Sequence, residues 1–406
     1  MSSRTKLSLG RYDFAAYLTF FAYAAGSVIV PVSLVELARG LDFDLSRGGM
    51  TAGGGLQLGR AATMVVAMLL VGFIAGRWGT RRTLGVSVLL MSVGVAMCAV
   101  SPVYGVLLLA MLFAGVGEGV IEGLATPFVQ NLHPKEPGRY INLTHAFWSV
   151  GILATVLVSG WFLSLGYSWR ILTGVVAGIG SVAGLLILWP MPGSRKYPEK
   201  GTRLSIGEVG FRMRAIVCTR RFWVFYVAMF LAGGGEFCLT FWSASHIQLH
   251  FGTGPMHGGF GVALFALAMV IGRFAAGYFV PQERLRSLIL FAATGGAIVT
   301  AILPWVNQIE IFYLLLFLAG LATAPFWPSI QSYATEMLPG LDSTLLLILL
   351  SCAGVPGCGV LTYVMGMWGD FSGSLAPAFV IVPIAYGSIW ILFGFIGKEK
   401  DRAPGK

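Results

Sequence analysis

Apolar residues in this chain fall into long unbroken runs, parted by short polar turns rich in glycine, proline or arginine. Twelve runs are long enough to cross a hydrocarbon layer about 30 Å thick as helices. They lie near residues 12–38, 50–76, 83–100, 103–131, 141–165, 169–189, 221–249, 257–281, 285–305, 308–336, 343–368 and 375–397. The pattern predicts an all-α integral membrane protein with twelve transmembrane helices. The longest polar interruption parts the runs six and six. This gives two pseudo-symmetric six-helix bundles (1–189 and 221–397), a basic linker (190–220) and a short tail (398–406). Within the linker, residues 205–217 read equally well as a basic amphipathic helix on the membrane surface or as a solvated strand of chain.

Composition supports this reading: 56% of the 406 residues are hydrophobic and 11% charged, where a soluble domain carries about a quarter charged. Mean hydropathy is +0.81. The net charge of +10 would suit a nucleic-acid partner, but its placement excludes one. All 27 Lys and Arg except Arg39, Arg47, Arg60, Arg170 and Arg273 fall in the even-numbered connections, the linker and the two ends. By the positive-inside bias these are cytoplasmic, as are both termini. The expected location is therefore a bacterial inner membrane. No cleavable leader is expected, since the first run is too long and lacks a small-x-small site, and it reads as an uncleaved anchor. The five scattered cysteines read as small apolar residues.

Six helices, a basic linker and six more is the layout of transporters whose solute site lies near the midplane between two halves. The fourth runs of the halves echo each other. Ala114-Gly115 opens one and Ala319-Gly320 the other, and both carry proline, at Pro127, Pro325 and Pro328. Proline frees backbone carbonyls, which lipid cannot satisfy, so both runs are expected to line a cavity.

Ionisable residues inside runs are few: Arg60, Glu118, Glu122, Glu236 and Arg273, with His145 and His246 nearer helix ends. Such residues are functional by default. Glu118 and Glu122, four apart, share a helix face. Two like charges that close each need a proton or a cation, so Glu122 is read as the principal proton carrier, with Glu118 and Glu236 as secondary charges. Arg273 is within geometric reach of Glu236, or else turns to a carbonyl or loop. Asn142, His145, Gln57 and Gln331 offer hydrogen bonds to a solute, and Trp242 and Trp327 offer flat faces. His246 and His250 are four apart but lack a third ligand of defined spacing. They read as polar surface, and no metal is expected. The absence of G-x-x-x-x-G-K-[ST] excludes a Walker ATP site, and no nucleophile–base motif marks an enzyme. A membrane sensor would need an output domain larger than residues 190–220.

Residues 72–82, G-F-I-A-G-R-W-G-T-R-R, resemble the signature loop between helices two and three of the major facilitator superfamily, with Gly76 where that loop carries an aspartate. The stretches I-E-G-L-A-T-P-F-V (121–129) and R-Y-I-N-L-T-H-A-F (139–147), then Gly235-Glu236, Gly272-Arg273, Phe326-Trp327-Pro328 and Asp370, resemble the fucose–proton symporter type of sugar porter. Here Ser27 stands where those symporters carry a helix-one acid. The G-P-x-x-G-G antiporter signature is absent from residues 141–165. The resemblance implies alternating access and proton-coupled uptake of a sugar or sugar-like solute. It makes Gly72, Gly76 and Arg77 an inner gate, with Arg139 and Arg273 as gating or structural charges. Its implied partners are protons, a small polar solute and the lipid bilayer, with no cofactor. Export of an amphipathic compound is the competing expectation.

Overall fold

A computed structural model describes residues 9–134, 137–191, 197–198 and 206–396, and the side chains of 137–139, 142 and 206 lie outside that description. Arg139 and Asn142 are therefore placed only as helix positions, and the tail after 396 is outside the described residues. Twelve spans are long and apolar enough to cross a membrane, and no strand occurs among the described residues.

The first half holds α1 (Arg11–Val32), the short α2 (Leu34–Gly40), α3 (Met50–Trp78), α4 (Thr80–Val100), α5 (Tyr104–Leu132), α6 (Pro137–Ser164) and α7 (Trp169–Leu188). The second holds α9 (Arg220–His250), α10 (Pro255–Phe279), α11 (Leu285–Ile302), α12 (Ile309–Thr323), α13 (Phe326–Met337), α14 (Ser343–Ser372), the single turn α15 (Leu375–Ala378) and α16 (Ile381–Ile396). Between them the linker forms α8 (Ile206–Val217), so the helical alternative is the one adopted. Arg212 of α8 donates to Asp342 at 2.8 Å, and Asp342 also caps α14 by accepting from Leu345 N at 3.0 Å. Earlier in the linker, Tyr197 stacks on Phe128, accepts from Asn131 and donates to the Phe128 carbonyl.

Two runs expected as single helices are divided. The first ends at Val32, one residue after Pro31, and resumes as α2. The tenth breaks between Thr323 and Phe326, where Pro325 and Pro328 cannot donate to the preceding turn. His246, expected at the surface, is buried with its ring against Phe312 and Phe379 and stacked on His250. The apolar cluster at the end of α9 outweighs the polar character of one imidazole.

The halves meet along α3–α14 and α6–α10 at the face away from the chain ends, here the distal face. There a Cβ at Gly54 would strike the backbone of Thr362 and Tyr363, one at Gly366 the backbone of Met50, and one at Gly259 that of Val156. Asp370 of α14 accepts from Met50 N at 2.9 Å and Thr51 N at 2.7 Å, so one half caps a helix of the other. At the terminal face, which carries the chain ends, Gly72 and Gly76 have open space around them. The halves thus meet distally, and nothing lies against Gly72 or Gly76 at the terminal face.

Candidate solute cavity and proton site

Three carboxylates stand near mid-membrane, and each has a different partner. Glu118 is fully buried, and it accepts from Arg60 Nη2 at 2.7 Å and from Arg60 Nε at 2.5 Å. Arg60, also buried, sends Nη1 to the carbonyl of Ser27 at 3.2 Å and to Gln57 Oε1 at 3.5 Å. The Ser27 carbonyl is free because Pro31, four residues on, has no N–H to give it. This bidentate pair lies inside the first half and fixes α1, α3 and α5 together. Gln57, expected to meet solute, is buried beside that pair.

Glu122, one helical turn toward the termini, is partly exposed. It accepts from the Tyr23 hydroxyl at 3.3 Å, and no cation is paired with it among the described residues. The Tyr23 ring packs edge-on against Trp148 at 4.5 Å. On α6, His145 is exposed, within 3.2 Å of Thr126 Oγ1 and edge-on to Phe20.

From the second half, Arg273 of α10 approaches Glu236 of α9 at 3.4 Å, with the two side chains 31% and 18% exposed. Of the two readings of Arg273, the structure takes the ion pair. Trp327 lies over Gly354 of α14, partly exposed, and Gln331 donates to Ser351 Oγ at 3.2 Å. Pro356 leaves the Cys352 carbonyl without its helical donor, and the Tyr226 hydroxyl supplies one at 3.4 Å.

Glu122, His145, Glu236, Arg273, Trp327 and Gln331 all keep some exposure. Trp242 does not. It is fully buried in the distal seam, donates to the Thr362 carbonyl at 2.9 Å and presses on Gly53 and Gly366. Its indole N–H is spent on backbone, so the expectation of a solute contact there is corrected for this closed seam. Tyr23 and Ser351 were not singled out from sequence. Tyr23 is one helical turn from Ser27, on the face of α1 turned toward Arg60 and Glu122, and that spacing was the available signal.

The profile of the Major Facilitator Superfamily matches residues 15–340, most of the chain. The chain belongs to the Major Facilitator Superfamily. It is a multi-pass membrane transporter and not an enzyme. Among its superfamily relatives, the cis,cis-muconate transport protein of Acinetobacter baylyi is 23% identical over 96% of this chain and 94% of that protein. The uncharacterized MFS-type transporter YybF of Bacillus subtilis is 24% identical, but the match spans only 43% of either chain. Of superfamily structures, the nucleoside transporter NupG superposes with a TM-score of 0.77 at 12% identity, covering 94% of this chain and 99% of that one. The Escherichia coli fucose:proton symporter FucP superposes at 0.62 and 17% identity, covering 94% and 98%. At these identities the superpositions show a common fold. The superfamily loop, residues 72–82, joins α3 to α4 at the terminal face, with Gly79 at a positive φ of 84° in the turn.

Proposed function

We propose that this transporter works by alternating access as a proton-coupled importer of a sugar or sugar-like solute in a bacterial inner membrane, with both termini cytoplasmic. In this reading the structure is the inward-open state. Glu122 carries the proton and no cofactor takes part. The carrying observation is the division of labour among the carboxylates. Glu118 and Glu236 each hold an arginine, whereas Glu122 borders the cavity with only a phenol hydroxyl as partner. A proton is then its means of shedding charge in a medium where a bare charge is costly. Outward-facing, Glu122 takes a proton from the acidic side with the solute. Inward-facing, it gives the proton up through the open terminal face. Trp148, Trp327 and Tyr23 offer flat faces for the C–H side of a sugar ring. His145, Gln331 and Ser351 offer partners for hydroxyls, and Asn142 stands one turn from His145 on the same helix. The named sugar symporter among the structural neighbours supports this class.

The test is solute accumulation in proteoliposomes under an imposed pH gradient, across labelled hexoses, pentoses and polyols. Glu122→Gln should abolish accumulation and keep counterflow of at least one of them. Accumulation surviving in that variant overturns the coupling role.

One observation favours a second reading, a carboxylate-bearing solute. Arg273 Nε is buried without a hydrogen-bond partner, and the Glu236 contact is long at 3.4 Å. A carboxylate in the cavity would be a better partner than Glu236. The relative matched along nearly its whole length is named for muconate transport. Arg273→Gln should abolish uptake of labelled muconate if this reading holds and leave uptake of a neutral sugar within a few-fold.

A further inference from the structure

A cleft of about 560 Å³ opens at the terminal face where the end of α3, the start of α4 and the end of α7 converge. It lies apart from the central cavity, and its walls include Arg77, Trp78, Arg81, Arg82, Val86 and Leu188. Three guanidinium groups line it, and no carboxylate is among its described lining residues. Arg81 sends Nη1 to the carbonyls of Ile187 at 3.0 Å and Leu188 at 2.7 Å, which closes the end of α7 and fixes that side chain in the wall. Arg77 and Arg82 have no ion pair or hydrogen bond among the described residues. The aspartate that the resembled loop would bring here is Gly76, so nothing acidic in residues 72–82 offsets this charge.

The surroundings show what kind of anion fits. Trp78 and Trp189 are exposed at helix ends, where aromatic side chains of membrane proteins commonly mark the boundary with water. Arg11 stands over the Trp189 ring at 5.9 Å. Farther from the terminal face along the same helices, Val86, which lines the cleft, and Val93 of α4, with Val182 and Leu185 of α7, present exposed apolar side chains. Charge at the rim and bare hydrocarbon below match a molecule with a phosphate head and acyl tails. Basic pockets between helices on the positive side of a membrane take such heads. A zwitterionic lipid would bring its own cation against three arginines, and an anionic one would not.

We infer that this cleft is a binding site for an anionic phospholipid, with Arg77 and Arg82 holding the phosphate, Trp78 at the head–tail boundary, and the tails on α4 and α7. Because the site uses the α3–α4 connection, occupancy ties a lipid to the loop that must move when the terminal face closes.

The experiment is native mass spectrometry of the full chain, titrated with phosphatidylglycerol and with phosphatidylcholine. The wild type should retain phosphatidylglycerol in preference. The paired substitution Arg77→Gln with Arg82→Gln should cut that preference roughly tenfold or more and leave phosphatidylcholine binding as it was. A charge-matched pair elsewhere on the same face, Arg214→Gln with Arg284→Gln, should keep the preference. Equal loss in the control pair would make the effect general surface charge and overturn the site. So would no loss in the first pair, or displacement of phosphatidylglycerol by millimolar inorganic phosphate, which would mark a free-phosphate site instead.

Discussion

Pro31 has no N–H to give the carbonyl of Ser27, and the guanidinium of Arg60 takes its place while gripping Glu118 with its other nitrogens. Such a pair is not a strong source of stability in itself, but breaking it strands a charge. Arg60→Ala should therefore lower the unfolding free energy by about 3–5 kcal/mol, read as a fall in melting temperature in detergent. Arg60→Ala combined with Glu118→Ala should recover much of that loss, because no charge is left unpaired. A double variant no better than the single would mean the site is sensitive to volume and not to charge. The five ionisable residues in the runs were legible in the sequence, as was the reach of Arg273 to Glu236, but the pairing of Arg60 with Glu118 was not. Sequence spacing relates Glu118 to Glu122 on one helix. Arg60 comes to Glu118 through the crossing of α3 and α5, which only packing decides.

Among the elements, the start of α3 is held by Asp370 of the opposite half, a carboxylate placed where a helix has unsatisfied N–H groups and partial positive charge. Asp370→Ala should weaken distal closure by about 1–3 kcal/mol. Spin labels at residues 46 and 371 should then show a second, longer distance population, and an unchanged single distance would remove Asp370 from the latch. The linker helix α8 is tied down by Asp342. Burial works against its carboxylate, but the Leu345 N–H and the Arg212 guanidinium outweigh this and hold the carboxyl below its usual range. A group whose folded value is depressed contributes fully above its unfolded value, about 3.9, and that contribution goes as pH falls through the folded value. Limited proteolysis around α8 should stay constant from neutral pH down to about 4 and rise below it. In Asp342→Asn it should be raised already at neutral pH. The twelve runs were plain from hydropathy alone. The divisions at Ser33 and at Ala324-Pro325 were not, since a proline can as easily kink a membrane helix as end it, and neighbouring helices determine which happens.

For the whole molecule, the two-half layout followed from the linker's charge and from the count of runs, and the superfamily match confirms the fold. The conformation could not be read in the same way. Gly54 and Gly366 become intelligible only when α3 and α14 are seen to touch distally, and Gly72 and Gly76 only when nothing faces them. Trp242 was taken for a solute contact because its ring is large and its helix central. It serves the seam instead. Glu122, the proposed proton carrier, was marked in the sequence by its place in a proline-bearing helix, and the structure adds Tyr23 as its partner.

The most direct test of a cavity-bordering carboxylate as proton carrier is solute-driven proton movement, followed with an external pH electrode on lightly buffered proteoliposomes. Addition of the transported sugar should raise the external pH for the wild type and leave it flat for Glu122→Gln, with counterflow intact in both. Alkalinisation that persists in Glu122→Gln would contradict the account.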